Sequence, residues 1–251
     1  MKDLAKRPSE ALILAGGLGS RLRPAVADVP KPMAPAGSRP FLEYLLDYWL
    51  ARGIARFVVS VGYLAERIMD HFGSGYRGAQ IEYVRETEPL GTGGALALAL
   101  EKTAWRSGSI LLLNGDTWLA ASLDRLAADA DRQLPATLVL VRVEANDRYG
   151  GVEVDAAGRV VRFGLPADGG PALVNAGCCL LRPEPIQAAL AGLPRRFSLE
   201  RDLLPGLARQ GRVAASVQAA DFIDIGVAED YRRFCREFAG AGFQPRPKEG
   251  C

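Results

Sequence analysis

Five consecutive apolar residues, Ala11–Ala15, run directly into Gly16-Gly17-Leu18-Gly19-Ser20-Arg21-Leu22-Arg23-Pro24. A run that short, ended by glycines, predicts one buried strand followed by a tight turn. Glycine lets the backbone come close to a ligand, and successive inward-pointing N–H groups form an anion-binding nest. Arg21 and Arg23 add positive charge, and Pro24 stops whatever local helix has begun. Lys31 lies between Pro30 and Pro32, so its backbone is stiffened and its ammonium can be aimed. Strand, glycine turn and aimed cations together describe a polyphosphate site.

Two familiar phosphate loops are excluded. No Gly-Lys-Ser/Thr follows at the gap a Walker A loop requires. Leu22 stands where the third glycine of a dinucleotide fingerprint belongs. The next strand ends Ser60-Val61-Gly62, without the acidic residue an NAD(P)-dependent oxidoreductase uses there. A plain strand–helix turn with solvated arginines explains the glycines alone, but the spacing to Lys31-Pro32 is more specific than that.

Downstream, strand and helix patterns alternate. Apolar residues at 41, 42, 45, 46, 49 and 50 have helical spacing, closed by Gly53. Strands are expected at 56–62, 80–84, 109–114 and 137–143, and helices at 64–72, 92–101 and 122–131. After Tyr149 the texture changes. Runs on either side of Asp155-Ala156-Ala157-Gly158 read as a hairpin. Strands at 172–181, 212–218 and 222–225 and helices near 184–191, 198–209 and 227–238 complete the chain. The expected fold is α/β, a doubly wound Rossmann-like mixed sheet with helices on both faces and a small β-rich part. One domain is expected over 1–239, with a disordered tail over 240–251.

Ligands of such sheets bind beyond the carboxyl ends of the strands. Leu111-Leu112-Leu113-Asn114-Gly115-Asp116 and Asp221-Phe222-Ile223-Asp224-Ile225-Gly226 both carry an apolar run to an aspartate beside glycine. Either aspartate alone reads as a turn residue. The pair, set opposite a cationic glycine loop, makes a divalent metal site the more economical account, since Mg²⁺ is held by one or two carboxylates plus substrate phosphates. Glu88-Pro89-Leu90-Gly91-Thr92-Gly93-Gly94 is a second glycine loop before a helix. It can admit a flat base close to the chain. The wider stretch from Glu86 offers the carboxylate, carbonyls and N–H that guanine's edge needs. Tyr149-Gly150 and Asn175-Ala176-Gly177 offer groups suited to sugar hydroxyls. His71, the single histidine, falls at a helix end, where capping or solvation is expected rather than catalysis.

Net charge is +2 over 251 residues, with both signs interspersed, which argues against nucleic acid or an anionic membrane as partner. No apolar run has transmembrane length and the first residues lack a signal core, so a cytoplasmic location is expected. The four cysteines show no zinc spacing. Cys178 and Cys179 face opposite sides of a strand; with Cys235 they read as buried inert thiols, and Cys251 lies on the tail.

The spacing from Gly16 to Pro24 with Lys31-Pro32 behind it resembles the signature of the sugar-nucleotide pyrophosphorylases, a nucleotidyltransferase family. The stretches "KPMAP" (31–35), "EPLGTGGA" (88–95), "LNGDT" (113–117) and "FIDIGVAEDY" (222–231) are similar to its D-glycero-α-D-manno-heptose 1-phosphate guanylyltransferase branch more than to the thymidylyl or uridylyl branches. The resemblance covers about 11–236 and implies a GT-A-like fold whose β-rich part binds the sugar. It implies a Mg²⁺-dependent enzyme joining GTP to a sugar 1-phosphate. Arg21, Lys31 and Asp116 would be catalytic, and Asp116 and Asp224 would hold the metal. Leu14, Ala15, Gly16, Gly17, Gly19, Ser20, Arg21, Glu88, Gly91, Thr92 and Asn114 would surround the nucleotide; Gly150, Asn175 and Glu200 would meet the sugar. Alternatives within the family are mannose 1-phosphate, dTTP or UTP as substrate. A non-catalytic sugar-nucleotide regulator on the same fold would be expected to lack Arg21, Lys31 or an aspartate. A second copy of the chain is a further candidate partner. One departure stands out. Many relatives carry Glu-Lys just after the strand that here ends at Phe163, and the lysine grips the sugar phosphate; this chain has Gly164-Leu165-Pro166. Arg162 and Arg182 are the candidates to replace it.

Overall fold

The structure, a computed structural model, describes residues 7–17, 19, 22, 26, 28–166 and 168–238. It begins with β1 (Glu10–Leu14), a 3₁₀ turn at Lys31–Met33, the short pair β2 (Pro35–Ala36) and β3 (Arg39–Pro40), and α1 (Phe41–Leu50). Then come β4 (Arg56–Val61), α2 (Ala65–Phe72), β5 (Gly75–Tyr76), β6 (Ala79–Arg85), α3 (Gly91–Lys102), β7 (Ile110–Asn114), β8 (Thr117–Leu119) and α4 (Leu123–Asp129). The second half holds β9 (Ala136–Val143), β10 (Gly151–Val154), β11 (Val160–Leu165), β12 (Ala172–Leu181), α5 (Pro183–Ala189), α6 (Leu204–Arg209), β13 (Val213–Gln218), β14 (Phe222–Asp224) and α7 (Ala228–Phe238).

β7, β1, β4 and β6 lie side by side and parallel, with Ala11 opposite both Phe57 and Leu111. Their near-continuous apolar sequences follow from burial on both faces. Ala11 and Ile13 point into one core with α1, α2, α4 and α7, whereas Leu12 points into the other with α3, α5 and α6. Cys178 and Cys179 divide between the same two cores, the period-two alternation expected of a strand. Cys235 is only half-buried, so that expectation is corrected for the third thiol.

β12 runs antiparallel to β7 and carries the rest of the sheet. β9 pairs antiparallel with β12, and β13 parallel with β9. The expected hairpin is β10–β11, joined to β12 through Gly151 and Val174. Arg159 bridges back to Ala214 on β13. β10, β11, β13, β9 and β12 therefore curl around Val152, Val160, Leu138 and Leu140, which is the β-rich part.

Three expectations shift. β14, the strand before Asp224, belongs to a separate ribbon with β8 rather than to the main sheet. The helix expected over 198–209 is a π-helical turn, Leu199–Leu203, followed by α6. Pro205 has no N–H to return to Arg201, so a regular ladder cannot cross it. The helix expected to reach Asp131 stops at Asp129, its start capped by the Ser122 hydroxyl. No helix among the described residues is long and apolar enough to cross a membrane. The expected tail, 240–251, lies outside the described residues.

At the end of the sheet away from the loops, Arg56 is clamped between Glu10 and Glu82, with Glu10 also accepting the N–H groups of Arg106 and Ser107. The side chains of Arg56 and Glu10 are 6% and 3% exposed. Arg56→Ala leaves a buried carboxylate unpaired, and an expected loss of about 3–5 kcal/mol follows. Urea unfolding measures it; a midpoint unchanged from wild type would show the cluster to be dispensable.

Candidate active site

β1 ends at Leu14, and Ala15 keeps its register by donating its N–H to Ser60 O at 2.8 Å. A Cβ on Gly16 would lie 2.2 Å from Glu86 Oε1, so glycine here leaves that carboxylate its present position. A Cβ on Gly17 would meet nothing within 4 Å, so this exposed residue is open toward a ligand. At Gly19 the chain has φ +63°, and a Cβ would sit 2.8 Å from Lys31 Cγ. Ser20 and Arg21 lie outside the described residues.

Lys31 opens the 3₁₀ turn behind an extended Pro30. Its side chain passes over Gly19 and ends 2.9 Å from Asp116 Oδ2. A Cβ on Gly226 would lie 3.3 Å from Lys31 Nζ. Glycines from two distant motifs thus leave a trough for one lysine.

Asp116 follows β7 through Gly115, which packs against Leu14 O so closely that a Cβ would stand 2.7 Å away. Asp116 O accepts Ile225 N–H at 2.9 Å, and Asp224 is paired with Thr117 across the ribbon. The ribbon is what brings the two aspartates together. Asp224 Oδ1 accepts Gly226 N–H at 2.7 Å. Burial, and then the charge of Asp116, push the Asp224 carboxyl above the usual range; the Gly226 N–H, Lys31 and Arg148 offset part of this. Two crowded carboxylates favour a cation between them. Among the described residues no group of three or more His, Cys, Asp or Glu side chains could hold a metal by itself. The donor set therefore fits a hard ion that takes its remaining oxygens from substrate phosphates.

The second glycine loop works differently from the expectation. Gly91, Gly93 and Gly94 are glycines because the 195–197 segment presses on them: their Cβ atoms would come within 2.5 Å of Phe197 O, 2.1 Å of the Phe197 ring and 2.5 Å of Arg195 O. Glu88 is exposed and paired with Arg195 at 2.9 Å. Thr92 donates to Glu200 Oε2 at 2.8 Å and accepts Leu199 N–H at 2.9 Å. The carboxylate that faces the glycine loop is Glu86. It accepts the Ser60 hydroxyl at 3.1 Å and Leu90 N–H at 3.2 Å. It has no ion pair to a described residue, and burial pushes its carboxyl above the usual range, partly offset by those two donors. Sequence reasoning placed Glu86 only within a stretch; the signal that singles it out is Gly16, whose missing Cβ makes its room.

At the residues expected to meet a sugar, the register of β12 breaks between Asn175 and Cys179. Gly177 takes φ +66°, with the Asn114 side chain where its Cβ would be. Asn175 Oδ1 accepts Gly177 N–H at 3.2 Å. Asn114, Asn175, Gly177 and Glu200 line one cleft, floored by Leu96 and Leu112. Glu200 is held by Thr92 and Ser198 through Oε2 alone. Gly150 is exposed beside Gly164 and leads into β10.

Both replacement cations named for the sugar phosphate are corrected. Leu181 pairs with Ile110, so Arg182 stands at the start of β7, the end opposite Asn114. Arg162 pairs outward with Glu153, its side chain 64% exposed. His71 is exposed and bonds Glu43 at 2.8 Å, remote from this cleft.

A family model described as nucleotidyl transferase matches residues 10–239. Over 232 residues the chain is 36% identical to a D-glycero-alpha-D-manno-heptose 1-phosphate guanylyltransferase of Aneurinibacillus thermoaerophilus, covering 91% of this chain and 97% of the relative. It is 34% identical over 249 residues to a mannose-1-phosphate guanylyltransferase of Mycobacterium tuberculosis, covering 97% of this chain and 68% of the relative. The crystal structure of HddC from Yersinia pseudotuberculosis superimposes with TM-score 0.80 at 31% identity, covering 91% of this chain and 98% of that one. HddC has also been solved complexed with GMP-PN.

Proposed function

The chain belongs to the nucleotidyl transferase family, and from that premise we propose that it transfers GMP from GTP to D-glycero-α-D-manno-heptose 1-phosphate. The products are the GDP-heptose and pyrophosphate. A phosphate oxygen of the sugar 1-phosphate bonds to the α-phosphorus of GTP. The bond from that phosphorus to the oxygen bridging to the β-phosphorus breaks, and that oxygen leaves with pyrophosphate. The attacking oxygen is already anionic, so no protein nucleophile is needed, and catalysis is alignment and neutralisation of charge. Lys31 and Arg21 neutralise the phosphates, and Gly17 offers open backbone beside them. Asp116 and Asp224 would hold Mg²⁺, which supplies the remaining neutralisation at the α-phosphate and leaving group. Asn175, Gly150 and the free oxygen of Glu200 orient the sugar.

The observation that carries guanine is Glu86, an acceptor-only carboxylate, half-buried beside Gly16 and without a cation among the described residues. Guanine presents N1–H and N2–H₂ donors side by side, which a carboxylate meets and which thymine and uracil lack. The heptose half is supported by two heptose 1-phosphate guanylyltransferase relatives of whose own length the chain covers 97% and 98%.

The test is pyrophosphate release with equal GTP, dTTP, UTP, CTP and ATP, run with heptose 1-phosphate and with mannose 1-phosphate. GTP with the heptose is expected to be fastest. Glu86→Gln is expected to cut kcat/KM for GTP by about 10²-fold, because its amide hydrogens oppose guanine's donors. Faster use of dTTP or UTP by wild type overturns the base; equal or better use of mannose 1-phosphate overturns the sugar.

A further inference from the structure

The loop before β10 is fixed unusually firmly for a surface turn. Asn146 is fully buried. Its N–H donates to Gly170 O at 3.0 Å and its carbonyl accepts Gly169 N–H at 2.8 Å. Its side chain clamps Tyr149, accepting the N–H at 2.9 Å and donating to the carbonyl at 2.8 Å. Tyr149 rests on Phe222, ring centroids 5.4 Å apart, two residues before Asp224. The residue between the clamp and the sugar-side Gly150 is thereby held in one place.

Arg148 is carried on that clamp. Its guanidinium carbon lies 4.8 Å from the Tyr149 ring centroid. One terminal nitrogen, Nη2, makes both of its bonds, to the Tyr149 hydroxyl and to Asp230 on α7. Nη1 and Nε bond no described residue, and the side chain is 33% exposed. Tyr149 and Asp230 therefore fix the plane of the guanidinium, and the N–H donors of Nη1 and Nε stay open on either side of Nη2. A fixed cation with open N–H donors can give a charge-assisted hydrogen bond to a phosphate oxygen.

Its place matters as much as its shape. On one side the partners Tyr149 and Asp230 tie Arg148 to Phe222, on the strand that holds Asp224, and to α7, the helix that follows it. On the other side Gly150 leads to Gly151, which pairs with Val174, the neighbour of Asn175. A sugar 1-phosphate with its ring at Asn175 and Glu200 must carry its phosphate toward the two aspartates, and Arg148 lies on the loop that ties Gly150 to Phe222 and α7. Arg182 is at the wrong end of the sheet, Arg162 points outward to Glu153, and Lys31 is assigned to the phosphates of GTP. We propose that Arg148 binds the phosphate of the sugar 1-phosphate, in place of the lysine that this chain lacks after β11. The proposal rests on reading the cleft as a sugar 1-phosphate nucleotidyltransferase site.

Initial rates of the full chain, varied in each substrate, test it. Arg148→Gln is expected to raise KM for the sugar 1-phosphate about 10- to 100-fold, the size of a lost charged hydrogen-bond pair, and to change KM for GTP by less than about 3-fold. Arg148→Lys, which keeps the charge but not the fork, recovers part of the loss. Arg162→Gln, which removes an exposed arginine that faces outward to Glu153, is the control for loss of one positive charge. It is expected to leave KM for the sugar 1-phosphate within about 3-fold of wild type. An unchanged sugar KM in Arg148→Gln, or an equal defect in Arg162→Gln, overturns the role of Arg148 while the reaction stands. No turnover by wild type with any sugar 1-phosphate overturns the reading of the site and this proposal with it.

Discussion

Replacing Asp116 or Asp224 by asparagine is expected to lower turnover at least ~10²-fold while the chain stays folded. The magnitude is that of removing one group that stabilises transition-state charge. Asparagine keeps the shape, so the ribbon of β8 and β14 and the Asp116 main-chain bond to Ile225 are undisturbed. Stability is expected to hold or rise. Asp224 is half-buried beside another carboxylate, and both burial and that neighbour disfavour its charge. Removing either charge relieves the repulsion. Two measurements separate the roles: pyrophosphate release, and the thermal midpoint without substrate. A third, Mn²⁺ binding in the presence of GTP, is expected to weaken in both variants. Near-normal turnover in either one removes that residue from the metal site. A midpoint many degrees lower would mean the carboxylate holds the ribbon rather than an ion.

The main sheet was legible because its strands are buried on both faces. β1, β4 and β7 are short apolar runs bounded by glycine or polar residues, and β12 has its expected limits. What periodicity cannot show is an element of two or three residues. β8 is of that kind; its partner β14 falls in the strand expected at 222–225, so the sequence suggested that Asp116 and Asp224 meet but not how. Glycines were equally ambiguous. Gly91, Gly93 and Gly94 signal a close approach, but only the fold reveals Phe197 and Arg195 as the approaching groups. Glu86 and Glu88 are two acidic residues in one short stretch. One lies under Gly16 and the other faces outward to Arg195, a difference set by which side of the chain follows β6. Arg182 failed as a phosphate ligand for a topological reason: β12 runs antiparallel to β7, so its far end reaches the wrong edge of the sheet. The same reversal brings Asn175 and Gly177 to Asn114. A polar residue's chemistry can be read from the sequence, but its address depends on strand direction.

Lys31→Met is expected to reduce kcat/KM by ~10²- to 10³-fold, since it removes the cation aimed at the phosphates while keeping an unbranched side chain one atom shorter. Lys31→Arg is expected to restore only part of the activity, and the reason is visible around the side chain. The lysine stem crosses Gly19, where even a Cβ would come within 2.8 Å of it, and its ammonium stops beside Gly226, where a Cβ would lie 3.3 Å away. That trough accepts an unbranched chain with a compact head. A planar guanidinium is wider, carries its donors in a fixed fork, and would have to displace the Gly226 backbone or turn away from Asp116. Methionine fits the trough, so the fold and the thermal midpoint are expected to survive. The Lys31–Asp116 pair is partly exposed, and its loss alone costs little stability. Steady-state rates with GTP and a sugar 1-phosphate measure the outcome. Full activity in Lys31→Met would make the lysine a loop residue that happens to neutralise Asp116, and full rescue by arginine would show that charge alone, rather than the trough, sets its role.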